Sequence, residues 1–428
     1  MRWSLGGIAP SGVRGVPALL GREAFPALAR RPQVVYLDSA STTQKPVAVI
    51  DAVTAHLEGP VANPGRGGYP WSTHVSDVLS NARTRVAEFI GAEPGEVIFT
   101  AGATAGLNMV ATAWAAAVLD DGDEVLYSPT DHAANVYPWL LLRRDLARQG
   151  RRIRLVPYRV TVTGEVDTAD VLAKVGPRTR LITFSHVHHV FGAMSTLREV
   201  REGIDSAVRI CVDASQSIGH VDVDVDRLGA DFLAFSAHKM FGLPGTGVLY
   251  CGRDVHHDLE PFLPGGGDGL RLDGEGPVVE ALPQGLECGS PNVPGVVALA
   301  AAVELVQTLG MDRIAEHSRV LTRFLVDRLR AVPGVSLLPG VAWCPGSVGY
   351  GIVSFTLEGV PAVDLGFALA AGGFYTRAGR HCLPELLARS NARGVDDSVR
   401  VSVHLHTDEE EVDRFARYLA DLAKGAIR

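Results

Sequence analysis

The strongest constraint on the fold is a series of short, continuously apolar runs between residues 97 and 250, most of them separated by helical patterns. Strands that are apolar along their whole length are buried on both faces, and helices between them allow the strands to run parallel. The runs are VIFT (97–100), EVLYS (124–128), RIRLV (152–156), LITFS (181–185), RICVD (209–213), DFLAFS (231–236) and GVLY (247–250). This alternation predicts an α/β fold with a mostly parallel sheet flanked by helices, and an active site outside the carboxyl ends of the strands.

The last third of the chain predicts a second, smaller unit. A Gly/Pro-rich stretch from 264 to 294 is typical of long functional loops. Helical and strand-like segments then follow over 296–332, 335–339, 351–357, 362–371 and 399–404, with a final helix from Asp408. We predict an N-terminal lead-in over 1–30, a large domain over 31–295 and a small α+β domain over 296–428, against which the N-terminal segment packs.

Composition narrows the possible functions. The chain has 428 residues and a net charge of −8, without a block of like charge, so we expect no nucleic-acid or membrane surface. Its longest apolar run, near Met109–Leu119, is too short to span a bilayer, and the N-terminus lacks the pattern of a signal peptide. The five cysteines are odd in number and widely spaced, which argues against a disulfide framework and fits a reducing, cytoplasmic location.

Two neighbouring strand ends carry an unusual set of polar residues. Asp213 and Gln216 follow one strand, and the next strand runs into Ser236, His238 and Lys239. Pyridoxal 5′-phosphate (PLP) needs a lysine amine for its aldehyde and a carboxylate that keeps its pyridine nitrogen protonated. A surface lysine and a helix-capping aspartate are the alternative for either residue alone. The joint pattern D-A-S-Q, a helix, then S-A-H-K-M favours a PLP enzyme that acts on an amino acid.

A phosphate site is predicted where the segment TAGATAGLN follows a strand and begins a helix. Backbone N–H groups of Gly102, Ala103 and Thr104 lie at that helix start, which suits an anion. Alone, this Gly-rich turn is equally consistent with an ordinary strand–helix turn. Ser290, in GSPN, offers a further hydroxyl from the Gly/Pro-rich loop.

Three histidines follow other strands at the same predicted edge. His132 follows the strand EVLYS, where an imidazole could stack on a pyridine ring and shuttle protons, although a loop histidine is usually just solvated. His188 and His189 follow LITFS. A zinc site is a rival explanation for these histidines, but no helical or strand spacing supports it.

These motifs resemble the fold-type I PLP enzymes of aminotransferase class V, and within that class the group II cysteine desulfurases and selenocysteine lyases. The resemblance runs from about Tyr36 to the C-terminus. It rests on YLDSASTTQKP (36–46), the long segment DASQSIGHVDVDVDRLGADFLAFSAHKMFGLPGTGVLY (213–250), ECGSPN, RAGRHC (377–382) and VRVSVHLHTDEEEVDRF (399–415).

The resemblance implies a role for each matching residue. Lys239 would form the Schiff base, Asp213 would pair with the pyridine nitrogen, and His132 would stack on the ring. Cofactor contacts are implied for Lys239, Asp213, Gln216, His132, Ala103, Thr104, Ser236, His238 and Ser290. Ser290 would reach the partner's phosphate, which implies a homodimer with shared active sites.

The resemblance also implies which residues bind the substrate and which one takes its sulfur. Arg400 matches the arginine that binds the substrate carboxylate, and Cys382 matches the nucleophile that takes sulfur from the substrate as a persulfide. The residues expected to contact substrate are Arg400, His189, Ala40, Tyr69 and Arg380, with Lys239, His132 and Cys382 as catalytic residues. A sulfur acceptor protein is a possible partner.

Several positions depart from the family pattern. Ala101, Ala103 and Ala105 stand where the family has an arginine, a threonine and a glutamate, so one phosphate hydroxyl is lost. His189 replaces an asparagine that contacts cofactor and substrate. Arg66 is retained, but the histidines around it are Gly65 and Tyr69, and Arg380 replaces another histidine. An added imidazole and arginine would suit a larger or more anionic substrate than cysteine.

Three hypotheses follow for the function. The first is a cysteine desulfurase that uses Cys382. The second is a PLP lyase that cleaves the C–S bond of a cysteine S-conjugate by β-elimination, without needing Cys382; related class V activities are epimerisation and decarboxylating deamination. The third is a protein of this fold that accepts sulfur or serves as a scaffold without turnover, against which the set of Lys239, Asp213 and His132 argues.

Overall fold

The computed structural model describes residues 16–65, 67–161, 163–260, 263, 265, 270–274, 276–338, 349–384 and 397–426. The strands are β1 (Val35–Tyr36), β2 (Val97–Thr100), β3 (Glu124–Tyr127), β4 (Arg154–Pro157), β5 (Thr179–Ser185), β6 (Arg209–Asp213), β7 (Phe232–Ser236), β8 (Gly247–Cys251), β9 (Leu270–Asp273), β10 (Gly276–Val279), β11 (Val335–Leu337), β12 (Ile352–Leu357), β13 (Phe374–Tyr375), β14 (Arg377–Gly379) and β15 (Ser398–Ser402).

The α-helices between and after these strands are α1 (Pro26–Ala29), α2 (Val47–Glu58), α3 (Pro70–Ile90), α4 (Ala103–Met109), α5 (Ala116–Val118), α6 (Tyr137–Arg148), α7 (Thr168–Lys174), α8 (Arg198–Glu202), α9 (Val225–Leu228), α10 (Val293–Leu309), α11 (Met311–Arg330), α12 (Ala362–Ala371) and α13 (Glu409–Ala426). A π-helical stretch, Val110–Ala115, joins α4 to α5, so the helix predicted after β2 is continuous.

The seven predicted apolar runs form one seven-stranded sheet in the order β2-β8-β7-β6-β5-β3-β4. Strands β3 to β7 pair in parallel, and β8 runs antiparallel to both of its neighbours. The predicted mostly parallel α/β sheet is therefore confirmed. Because Asp213 ends β6 and Ser236 ends β7, their side chains lie at one edge of this sheet.

A four-stranded antiparallel sheet, in the order β11-β12-β15-β14, forms the core of the C-terminal part of the chain. The N-terminal segment packs with it. Strand β1 pairs in parallel with β13, and the Leu20 amide donates to the Leu405 carbonyl over 3.0 Å. Val35 and Leu37 are buried in the same apolar cluster as Phe355 and Phe415.

Packing places helix α10 with the large sheet although most of the helix lies beyond residue 295. Its buried residues, among them Leu299 and Val303, share an apolar cluster with Ile210 of β6. The prediction of one helical region over 296–332 is wrong in detail. Gly310, at φ +87°, separates α10 from α11, and the axes of the two helices are bent by 79°. We propose that the boundary between the two domains lies near Gly310.

Two further local expectations differ from the structure. Between Asp213 and the next strand the only α-helix is the four-residue α9, and the chain before it forms turns, of which Ser215 and Gln216 face a cavity. The strand expected from residue 152 begins at Arg154. Within the described ranges, no single helix is long and apolar enough to cross a membrane; α10 and α11 meet that test only as a bent pair.

Candidate active site

A cavity of about 210 Å³ lies where the carboxyl ends of the parallel strands meet the C-terminal sheet and the N-terminal segment. Most residues predicted for the site are brought together there. Its lining consists of Ala40, Ser41, Ala103, Thr104, His132, Ala134, His189, Asp213, Ser215, Gln216, Ser236, His238, Lys239, Arg377, His381 and Arg400.

Lys239 reaches this cavity from the 3₁₀ turn Ala237–Lys239 that follows β7. Burial lowers the pKa of its amine to about 8, and the neighbouring Asp213 carboxylate opposes that shift. An amine with this pKa is partly uncharged near neutral pH. Lys239 can therefore act as a nucleophile or as a base.

Asp213 and Gln216 are fixed by the turn that follows β6. The Ser215 amide donates to Oδ1 of Asp213 over 2.9 Å, which orients the buried carboxylate. Gln216 donates through Nε2 to the Ala40 carbonyl over 2.9 Å, so this side chain also ties the N-terminal segment to the cavity. Asp213 suits a protonated ring nitrogen, because a charge-assisted hydrogen bond stabilises both partners.

His132 and His189 form the aromatic side of the cavity. Nδ1 of His132 accepts the Ala134 amide over 3.1 Å, so the neutral ring carries its proton on Nε2. Burial, followed by the charge of Lys239, lowers the pKa of His132 to about 4. The His132 and His189 rings meet edge to face, with centroids 5.1 Å apart. Burial also holds the pKa of His189 well below its ordinary value, so both imidazoles are neutral hydrogen-bonding groups.

The start of α4 provides donors for an anion. Gly102 begins this helix at φ +147°, and the Ala103 amide donates to Oγ of Ser236 over 2.9 Å. Thr104 and His238 line the cavity beside them. The His238 carbonyl accepts hydrogen bonds from residues of the 42–45 segment, which holds the turn before Lys239 in place.

Arg400, on β15, is the buried cation of the cavity. Its guanidinium donates to the His189 carbonyl over 3.0 Å and to Oγ of Ser41 over 2.9 Å, and lies 3.3 Å from Asp38. Burial lowers its pKa to about 10, so it stays charged at neutral pH. Its Nε has no hydrogen-bond partner, which leaves one donor for a ligand.

Arg377, on β14, is a cavity residue that the sequence analysis missed. It lies directly opposite Arg400 in the antiparallel pair, and it donates to Oγ of Ser41 over 3.1 Å. The motif R-A-G-R-H-C contained it, but its position depends on the pairing of β14 with β15. Ser41, Ala134 and Ser215 are further lining residues that the motifs did not single out.

Cys382 is exposed beside the cavity. Its Sγ lies 3.0 Å from Nη2 of Arg377, and its carbonyl accepts the Ala133 amide over 3.0 Å. His381 and Cys382 both have positive φ, +52° and +62°, which residues other than glycine rarely adopt. The local backbone therefore holds the thiol close to a cation at the rim.

Besides Cys382 at the rim, some predicted contact residues also lie outside the cavity lining. Of the described residues, Tyr69, Ser290 and Arg380 are exposed and do not line it. The contacts of Tyr69 and Arg380 with substrate stay predictions, as does the contact of Ser290 with a partner's site. Arg66 lies outside the described residues. Within the described part of the chain, no three His, Cys, Asp or Glu residues form a group that could hold a metal ion.

The donor set of the cavity fits PLP. Lys239 supplies an amine, Asp213 a fixed carboxylate and the start of α4 an anion site beside Ser236. A side chain at Gly102 would approach Oγ of Ser236 to 3.2 Å, so the small residue keeps that cradle open. Both ring nitrogens of the buried His189 lack a hydrogen-bond partner, so they can bond to a polar group of a ligand.

Comparisons with known proteins place most of the chain in one family. The family model "Aminotransferase class-V" matches residues 35–415. A probable cysteine desulfurase of Methanothermobacter thermautotrophicus is 33% identical over 91% of this chain and 94% of its own length. One from Mycolicibacterium paratuberculosis is 34% identical over 92% of this chain, which spans only 56% of that protein. A cysteine desulfurase from Thermococcus onnurineus, solved in its apo form, superposes with a TM-score of 0.86 at 29% identity, covering 94% of this chain and 97% of that one.

Proposed function

Since the chain belongs to the aminotransferase class V family, we propose that it is a PLP-dependent cysteine desulfurase, which removes sulfur from L-cysteine through a persulfide on Cys382. The observation that carries this proposal is the thiol of Cys382 held 3.0 Å from Arg377, at the rim of a cavity that contains Lys239 and Asp213. The predicted family, fold class and PLP-dependent enzyme are confirmed by the family match. Relatives named cysteine desulfurase support the choice of reaction.

Several residues that line the cavity have separate roles in the proposed reaction. PLP, when bound, stabilises negative charge at the α-carbon of an amino acid. Asp213 holds a proton at the pyridine nitrogen, and Lys239 removes the proton from the α-carbon of the substrate. Arg400 binds the substrate carboxylate and so orients the α-carbon toward Lys239. His132, which lines the cavity, would cover the cofactor ring and exclude water from it.

Sulfur transfer is the task we assign to Cys382. Its thiolate attacks the sulfur of the bound cysteine, and an S–S bond forms while the C–S bond breaks. The electron pair of the C–S bond stays on the substrate's β-carbon, which takes up a proton. Lys239 returns a proton to the α-carbon, so that alanine leaves and a persulfide remains on Cys382. Arg377 keeps Sγ of Cys382 oriented toward the cavity.

Replacing Cys382 tests the proposal. With L-cysteine and a thiol reductant, Cys382→Ala is expected to lose more than about 99% of sulfide and alanine formation while it still binds PLP, because transfer requires a nucleophile. Cys288→Ser is the matched control, because Cys288 is also a free, partly exposed thiol but does not line the cavity. Full sulfide release by Cys382→Ala would rule the persulfide route out.

A C–S lyase that acts on a cysteine S-conjugate is the second candidate. The observation that favours it is His189, which the family pattern does not predict and which adds an imidazole to the cavity. In a β-elimination the thiolate leaves with the electrons of the C–S bond, and Cys382 is dispensable. Undiminished formation of pyruvate and thiol from an S-conjugate by Cys382→Ala would support this candidate.

We further propose a cytoplasmic homodimer with shared sites that passes sulfur to an acceptor protein. Ser290 supports the shared site, since it is exposed and does not line the cavity that contains Lys239 in its own chain. Its substitution by alanine is expected to weaken PLP binding in the dimer. Sedimentation would measure the state of assembly, and an unchanged PLP affinity of Ser290→Ala would contradict the shared site.

A further inference from the structure

The His189 side chain has no hydrogen-bond partner although it is only 3% exposed. Neither Nδ1 nor Nε2 is bonded, and the ring lines the cavity. Its neighbour His188 shows the contrast: Nε2 of His188 pairs with the Thr130 carbonyl over 2.9 Å, and Nδ1 accepts the Val190 amide over 3.2 Å. A buried imidazole with two unmet hydrogen-bonding atoms is costly, so His189 is not explained by packing alone.

Charged and titratable groups surround this ring from four segments. His188 precedes it and stacks on it at 4.9 Å, and His132 meets it edge to face. Lys239 faces it from the turn after β7, and Arg400 from β15. Burial and then these neighbours hold the pKa of His189 well below its ordinary value. His189 is therefore neutral and lies next to two cations, Lys239 and Arg400.

Arg400, beside His189, also has a donor without a hydrogen-bond partner. Its Nη1 binds the His189 carbonyl, and its Nη2 is shared between Ser41 and Asp38, but its buried Nε has no partner. A carboxylate beside Arg400 would accept from Nε and from the imidazole. It would also offset the positive potential that keeps His189 neutral, because opposite charges within a few ångströms favour the charged form.

We propose that His189 takes up a proton from solvent when a carboxylate ligand binds beside Arg400, so that amino-acid binding is linked to proton uptake. The ion pair between the imidazolium and the carboxylate then contributes to affinity, and the proton returns to solvent when the ligand leaves. This role rests on the proposed function in one respect only, namely that an amino acid enters the cavity through its carboxylate. An asparagine at this position could not titrate.

Calorimetric binding of propionate to the PLP-loaded enzyme tests the proposal, because propionate has a carboxylate but no amine to react with the cofactor. In two buffers of different ionisation enthalpy at pH 7, wild type should take up a substantial fraction of one proton per ligand. Its affinity should fall from pH 6 to pH 8, by up to about tenfold per unit. His189→Asn should show neither effect, while the absorbance of the bound cofactor reports any proton taken up there.

The controls separate this role from a structural one. His189→Gln repeats the test if the asparagine variant folds poorly, and His186→Asn replaces a similarly buried histidine that lies outside the cavity lining, where uptake should persist. Uptake that persists in the His189 variants, uptake that is absent from wild type, or the absence of propionate binding would each overturn the proposal. Propionate is not turned over, so a failure of desulfurase activity would leave this result unaffected.

Discussion

At Gly102 the chain turns from β2 into α4 with φ +147°, a backbone angle that residues with a side chain rarely adopt. A Cβ there would lie 3.2 Å from Oγ of Ser236, the hydroxyl that already accepts the Ala103 amide. Strain of this kind costs on the order of 1–3 kcal/mol. Relief of this strain would shift the backbone at the start of α4, and with it the N–H groups that we assign to the cofactor phosphate.

Gly102→Ala is therefore expected to weaken PLP binding by about tenfold or more, since 1.4 kcal/mol corresponds to a factor of ten. Titration of the apoprotein with PLP, followed by cofactor absorbance, would measure it. Gly122→Ala is the matched control: its φ is +82° and nothing lies within 4 Å of the added Cβ. The control should lower the free energy of unfolding without changing PLP affinity, and an equal loss of affinity in both variants would contradict the role of the Gly102 turn.

At the scale of the elements, strands β14 and β15 carry two like charges that serve the site but oppose the pairing of the strands. They place Arg377 directly opposite Arg400, and like charges in that position are unfavourable by up to about 1 kcal/mol. Both guanidiniums bind Ser41, and Asp38 lies 3.3 Å from Arg400. The pair suits the binding of an anion better than it suits the stability of the sheet.

Arg377→Gln should accordingly raise KM for L-cysteine severalfold while the free energy of unfolding of the apoprotein stays unchanged or rises by up to about 1 kcal/mol, because the substitution removes one of two opposed like charges. Steady-state kinetics and urea unfolding would measure the two quantities. Arg227→Gln, which removes an exposed ion pair with Asp222, should change neither. A large loss of stability with an unchanged KM would mean that Arg377 is structural.

These elements also show what the sequence could predict. The apolar runs gave the strands of the large sheet, and the strand ends brought Asp213, Ser236 and Lys239 to one edge, because parallel strands share that edge. Arg377 could not be placed, because the pairing of β14 with β15 is a contact between distant segments. The break at Gly310 was also missed, since apolar residues continue on both sides of it.

At the scale of the whole molecule, four buried histidines occupy the junction between the large sheet, the N-terminal segment and the C-terminal part. They are His220, His317, His404 and His406. His220 stacks on His404 with ring centroids 3.9 Å apart, His406 contacts Phe25 edge to face, and both ring nitrogens of His404 lack a partner. Since His404 lies four residues beyond Arg400, the cluster also supports the strand that carries this arginine.

Burial lowers the pKa of His220 and of His406 to about 4, and that of His404 well below its usual range. Because the unfolded chain binds these protons near pH 6.5, the stability from neutral histidines is complete above that pH and is lost as the pH falls toward 4. Asp131 and Glu411, whose pKa values burial raises to about 7, act in the opposite direction in this window. The net slope of stability against pH therefore mixes both groups, and a variant is needed to isolate the cluster.

His404→Gln is expected to reduce the loss of unfolding free energy between pH 6.5 and pH 5 by up to about 1.4 kcal/mol per pH unit, because one buried group no longer has to stay neutral. Urea unfolding of the apoprotein at several pH values measures this slope. His257→Gln, at an exposed position, should leave the slope of wild type unchanged. If His404→Gln kept that slope as well, the histidine junction would not be the acid-sensitive contact between the two parts of the molecule.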